Sequence, residues 1–132
     1  MVYVGIDWAD EHHDVHITND TTKILAKFQI SHDCDGFANL HNKIKSLDKN
    51  PASVSIAIET NKGLLVNDLL RTGYTVYAIN PKAVNRFKDR HVLSKAKSDS
   101  IDAEALANIL RTDRHMFRPL KPLPEDYCLL DR

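Results

Sequence analysis

The chain has 132 residues, one domain's worth by the usual range of ~100–150 residues. With 42% hydrophobic and 27% charged residues, four Gly and five Pro, it is neither a disordered chain nor a collagen-like or linker-like one. The formal net charge is zero but divided: residues 1–60 hold nine Asp/Glu against five Lys, and residues 61–132 hold nine against thirteen Lys/Arg. An acidic pole beside a basic one keeps nucleic acid open as a partner, because a local basic patch matters more than the total. No apolar run approaches the ~20 residues of a membrane span, so no membrane is expected. Met1 to Asp7 lacks a basic n-region and does not read as a signal peptide. Cys34 and Cys128 form no motif, and both read as free thiols in a reducing cytosol.

Tyr3 to Ile6 is a short apolar run ending at Asp7 and predicts a buried strand. Val15 to Thr18 reads as a second strand, and Trp8 to Asp14 as the turn and the start of that strand. Asn19 to Thr22 is turn chemistry, and Ile24 to Ile30 is a third strand. The period then changes. Phe37, Leu40, Ile44 and Leu47 line one side of a helix, with Asp33 or Asp35 as its cap. Asn50-Pro51 ends that segment, and Ser53 to Ile58 is a strand closing at Glu59. Leu64 to Leu70 is helical and Gly73 stops it. Tyr74 to Ile79 is the fifth strand. Pro81 suits a first helical position with Asn80 as cap, for a helix over Ala83 to Val92. Ser94 to Ser98 is a polar basic loop, and Ile101 to Leu110 an alanine-rich helix. Pro119, Pro122 and Pro124 break the chain, and Glu125 to Arg132 begins another helix. The order β-β-β-α-β-α-β-α predicts an α/β fold, a mixed five-stranded sheet with helices on both faces.

The acids stand at telling places. Asp7 follows the first strand and Glu59 the fourth, and functional groups of α/β sheets gather at carboxyl ends of strands. Asp99 and Asp102, three apart at the head of the last helix, share a face. Taken alone they are also what a helix start prefers, an N-cap and an acid in the first turn. Four carboxylates on one site repel one another unless a cation lies between them. Ligation by oxygen alone selects a hard ion, Mg²⁺ or Mn²⁺, and such ions clamp phosphodiester chemistry.

Read together, Val4-Gly5-Ile6-Asp7-Trp8-Ala9, Ala57-Ile58-Glu59-Thr60, Ala78-Ile79-Asn80-Pro81 and Lys97-Ser98-Asp99-Ser100-Ile101-Asp102-Ala103-Glu104-Ala105-Leu106-Ala107 carry a resemblance. Their order resembles the RuvC-like branch of the ribonuclease H fold. More narrowly, it resembles the N-terminal domain of the DEDD insertion-sequence transposases, the "one-ten" family that includes the Piv/MooV invertases. The resemblance implies a RuvC-like catalytic domain over residues 1–118. Residues 119–132 would be a Pro-containing linker and the start of a helix leading to a second domain. It implies metal-dependent DNA transposition and recombination, with Asp7, Glu59, Asp99 and Asp102 holding Mg²⁺ and positioning the scissile phosphate. The covalent attack is attributed in the family to a serine of the second domain, beyond Arg132, so the chain by itself would be incomplete. Members are described as using a structured guide RNA to choose DNA. The implied partners are therefore DNA (element ends and target), that RNA, and further copies of the full-length protein, in a prokaryotic cytoplasm.

Lys82, Arg86, Lys88, Arg90, Lys95 and Lys97 fall within sixteen residues that contain one acid, Asp89, and are the candidate nucleic-acid contacts. A solvated helix face is the plainer reading of the same run. His12, His13 and His16 tempt as a zinc site, but the segment reads as a strand and a solvated hairpin, with no further ligand at the right spacing. Trp8 reads as core or rim. Two other functions share these features. A stand-alone RuvC-like junction resolvase or nuclease would use the same four acids, and a catalytically silent nucleic-acid-binding or dimerisation module would use none. An actin-like ATPase would need Gly and Ser/Thr after the first Asp, where this chain has Trp8-Ala9-Asp10.

Overall fold

The computed structural model describes residues 1–8, 11–21, 23–59, 63–90 and 101–120. Its centre is β1 (Val2–Asp7), flanked by β2 (His12–Asn19) and β4 (Val54–Ile58), with β3 (Ile24–Ser31) and β5 (Thr75–Ala78) at the edges. The order β3-β2-β1-β4-β5 is antiparallel on the hairpin side and parallel on the other. This is the mixed five-stranded sheet predicted from the sequence. The helices are α1 (Cys34–Leu47), α2 (Leu64–Thr72), α3 (Pro81–Arg90) and α4 (Ile101–Asp113). Asp33, not Asp35, caps α1, its carboxylate accepting the Gly36 N–H at 2.7 Å, so the helix starts a turn earlier than its apolar residues mark. Asn80 accepts the Lys82 N–H at 2.7 Å and starts α3 at Pro81. Gly73 ends α2 in the left-handed region, φ 103°. The predicted loop at Ser94 to Ser98, the end of the third helix at Val92 and the helix start at Glu125 lie outside the described residues, as do Cys128, Asp99, Lys95 and Lys97.

Strand alternation sorts the core into two layers. Val2, Val4 and Ile6 of β1, with Ile56 and Ile58 of β4, face Leu40 and Ile44 of α1 and Leu65, Val66 and Leu69 of α2. Tyr3, Ala57, Tyr77 and Ile79 face the other way, onto Val84 and Phe87 of α3 and Leu106, Ile109 and Leu110 of α4. Gly5 lies on this second face. A Cβ there would stand 2.0 Å from the Ala103 carbonyl oxygen and 2.6 Å from the Ala107 nitrogen. The backbone of α4 therefore rests on the backbone of β1, which only glycine permits. Ala103 and Ala107 are fully buried at this crossing.

One expectation is corrected. The hairpin at residues 12–16 is not solvated: β2 starts at His12, and His13 and His16 are buried. His16 pairs with Gly5 of β1 and His13 with Ile30 of β3, so the two ladders carry these polar residues into the sheet. His13 lies under the Trp8 ring, at 4.4 Å between centroids, and its Nε2 meets His32 Nδ1 at 2.9 Å. Trp8 packs against the aliphatic core, at its rim. After α4 the chain turns back, and the Leu120 N–H donates to the Val76 carbonyl at 2.7 Å, alongside edge strand β5.

Candidate active site

β1 and β4 run parallel and in register, and their pairing ends with Ile6 beside Ile58. The next residues, Asp7 and Glu59, leave side by side. Period two places them on the Gly5 and Ala57 face, the one α4 crosses. Because α4 lies so close over Gly5, the first turn of the helix lowers Asp102 onto them. One carboxylate oxygen from each of Asp7, Glu59 and Asp102 lies within 4.8 Å of the others, and all three residues are half-buried. Of the four acids singled out in the sequence, the structure brings these three together; Asp99 lies outside the described residues.

Three carboxylates so close hold a strongly negative potential. Burial is the main cause that raises the Glu59 pKa, and the neighbouring Asp102 adds to it. Lys88 opposes the rise. Its ammonium donates to Asp102 Oδ1 at 2.6 Å, with both side chains partly exposed. Three hard oxygen donors with this spacing and a net negative charge are compatible with a divalent cation. Asp14 stands across the ladder from Asp7, and its Oδ1 accepts the Gln29 amide at 2.8 Å.

Lys88 reads in the sequence as one of the cations of a nucleic-acid surface, and the structure instead places it beside Asp102. The signal was there. Lys88 is four residues past Val84, on the side of α3 that meets the core, whereas Lys82, Arg86 and Arg90 repeat every four residues on the exposed side. Arg86 and Arg90 also border a groove of about 710 Å³ with Ile109, His115, Met116 and Phe117. Arg90 lies 3.9 Å from Asp113 across it.

A family profile described as transposase, of the DEDD IS110 type, matches residues 4–132. The chain belongs to the IS110-type DEDD transposase family. It is 48% identical over 120 residues to the "Mini-circle putative transposase for IS117" of Streptomyces coelicolor, covering 90% of this chain and 29% of that protein. It is 37% identical over 120 residues to the "Putative transposase y4uE" of Sinorhizobium fredii, covering 89% of this chain and 33% of that one. The chain thus spans about a third of the length of the curated relatives it matches. Among solved structures it is similar to T. thermophilus RuvC in complex with Holliday junction substrate, with TM-score 0.64, 17% identity, and 91% and 99% of the two chains covered. The Thermus thermophilus RuvC structure gives a TM-score of 0.61 at 17% identity, covering 91% of this chain and 100% of that one. These likenesses show a ribonuclease H-like, RuvC-like fold. Among the described residues no helix is long and apolar enough to cross a membrane.

Proposed function

We propose that this chain is the metal-binding catalytic domain of a DNA transposase or site-specific recombinase, acting on phosphodiester bonds with Mg²⁺ or Mn²⁺. The observation that carries the reading is the convergence of Asp7, Glu59 and Asp102 at one end of the parallel strand pair in a chain of this family. Asp7 and Glu59 would hold the cation from the sheet and Asp102 from α4, with Asp99 as a fourth ligand. When bound, the cation supplies a Lewis acid for the phosphate and stabilises the charge that develops on the departing oxygen. The residues themselves fix where the phosphate is presented, because Asp7 ends β1 and Glu59 directly follows β4. Lys82, Arg86 and Arg90 on the exposed side of α3, with Lys95 and Lys97, would contact the nucleic acid backbone.

The rest of the proposal rests on the family. Residues 1–118 form the domain and residues 119–132 lead toward further parts of a longer protein. Those parts supply the serine nucleophile, the assembly of copies and the use of a structured guide RNA. The site is tested by melting the chain with and without Mn²⁺ and by assaying nicking of DNA that carries element ends. Wild type should gain melting temperature by mass action on the folded state, and Asp7→Asn should gain none and nick nothing. Equal Mn²⁺ responses in the two proteins would remove the metal assignment. Preferential cutting of four-way junctions over element ends would favour a resolvase instead.

A further inference from the structure

Lys88 does not behave as a member of the exposed cationic face. Its outward neighbours Arg86 and Arg90 are exposed, while Lys88 is half-buried and points its ammonium at an acid that the function needs as a ligand. A 2.6 Å contact to Asp102 Oδ1 is a short, charge-assisted hydrogen bond that uses one lone pair of that oxygen. An ammonium and a divalent ion held by the same small cluster repel each other strongly in a half-buried site. The two cations therefore compete for Asp102. A lysine released from Asp102 sits at the end of α3, beside the exposed cations, with a flexible four-carbon stem and three donors.

We propose that Lys88 is an exchangeable counter-ion of the acid cluster, which holds Asp102 until a divalent cation is taken up and then transfers its ammonium to the nucleic acid phosphate. The inference rests on the proposed metal site. It makes cation uptake and nucleic acid binding mutually reinforcing, since each favours the state in which Lys88 has left Asp102.

The test measures Mn²⁺ binding to the chain from the paramagnetic resonance of the free ion, with wild type, Lys88→Met, Lys88→Arg and Asp102→Asn. Methionine keeps the apolar stem and removes the charge. Lys88→Met should bind Mn²⁺ about five- to tenfold more tightly, and Lys88→Arg should stay near wild type. A second arm follows binding of a short DNA duplex across salt concentrations, in Ca²⁺ and in EDTA. In wild type the slope of log affinity against log salt should steepen by about one unit in Ca²⁺, the mark of one added phosphate contact. In Lys88→Met the two slopes should coincide. If Asp102→Asn loses Mn²⁺ while Lys88→Met binds it no better than wild type, Lys88 is a fixed structural partner and this inference fails alone. If Asp102→Asn binds Mn²⁺ as wild type does, the metal site itself is misassigned and both readings fall.

Discussion

The two faces of the central sheet are built from alternate residues of the same strands, yet they are organised on different principles. The face toward α1 and α2 is filled by branched aliphatics, Val4, Ile6, Ile56 and Ile58 against Leu40, Ile44, Leu65 and Leu69, all with no exposed surface. Its polar contacts lie toward the margins: His13 Nε2 meets His32 Nδ1 at 2.9 Å, and His41 Nε2 meets Asp68 Oδ2 at 2.5 Å while its ring stacks on Tyr74. The face toward α3 and α4 has small residues, Gly5, Ala57, Ala103 and Ala107, where α4 crosses β1, and buries His16, whose Nδ1 has no hydrogen-bond partner among the described residues. The first face gains stability from volume. The second gives up volume at that crossing, so that a helix can approach a strand closely enough for acids on both to meet.

The contrast can be broken at several points. The largest loss of stability is expected from Ile56→Ala, about 2–5 kcal/mol by the usual cost of truncating a core aliphatic. Urea unfolding should show it, and any folded protein should keep its Mn²⁺ response. Gly5→Ala should cost about 1–3 kcal/mol or more, since the added methyl meets backbone atoms that cannot rotate away. Unlike Ile56→Ala it should also abolish the Mn²⁺ response, because α4 must lift and take Asp102 with it.

Acid should weaken both faces. Burial lowers the pKa of His13, to about 4, with the nearby His32 and His12 adding to the effect. Burial also lowers that of His16, and Lys27 adds to this while Glu104 opposes it. A histidine whose folded pKa is depressed binds fewer protons folded than unfolded. Its contribution is complete above the unfolded value of about 6.5 and is lost as pH falls toward the folded value. Stability should therefore drop between pH 6.5 and about 4, and His13→Gln should flatten that limb. Glu59 has the opposite sign. Its raised pKa means that its carboxylate opposes folding as pH rises through that value, so Glu59→Gln should flatten the loss on the alkaline side of the transition while removing Mn²⁺ stabilisation. The smallest effect belongs to His41→Ala, about 1 kcal/mol or less for a partly exposed pair, with the acid cluster untouched.

The strand count, the element order and the three acids that meet were legible in the sequence, because each rests on a local signal. Apolar runs ended at Asp7 and Glu59, and a helix start carried Asp102. What was illegible depended on contacts between distant elements. His13 stands in a segment that reads as a solvated hairpin strand, and only the β2–β3 ladder and the Trp8 ring make its place a buried one. Lys88 reads as one cation among six until helical phase is combined with knowledge of which side of α3 meets the core. Gly5 is an ordinary residue of a strand until α4 is laid across it.

That crossing makes the acid cluster a vice with one fixed jaw. Asp7 and Glu59 are set by the ladder between β1 and β4, while Asp102 travels with α4. The gap between the jaws is gauged several ångströms from the acids, where Ala103 and Ala107 ride over Gly5. Substitutions at those alanines would remove none of the three carboxylates, yet each would reset the gap. In a random library screened for lost activity, inactive clones should fall along the buried side of α4 as densely as at the carboxylates themselves.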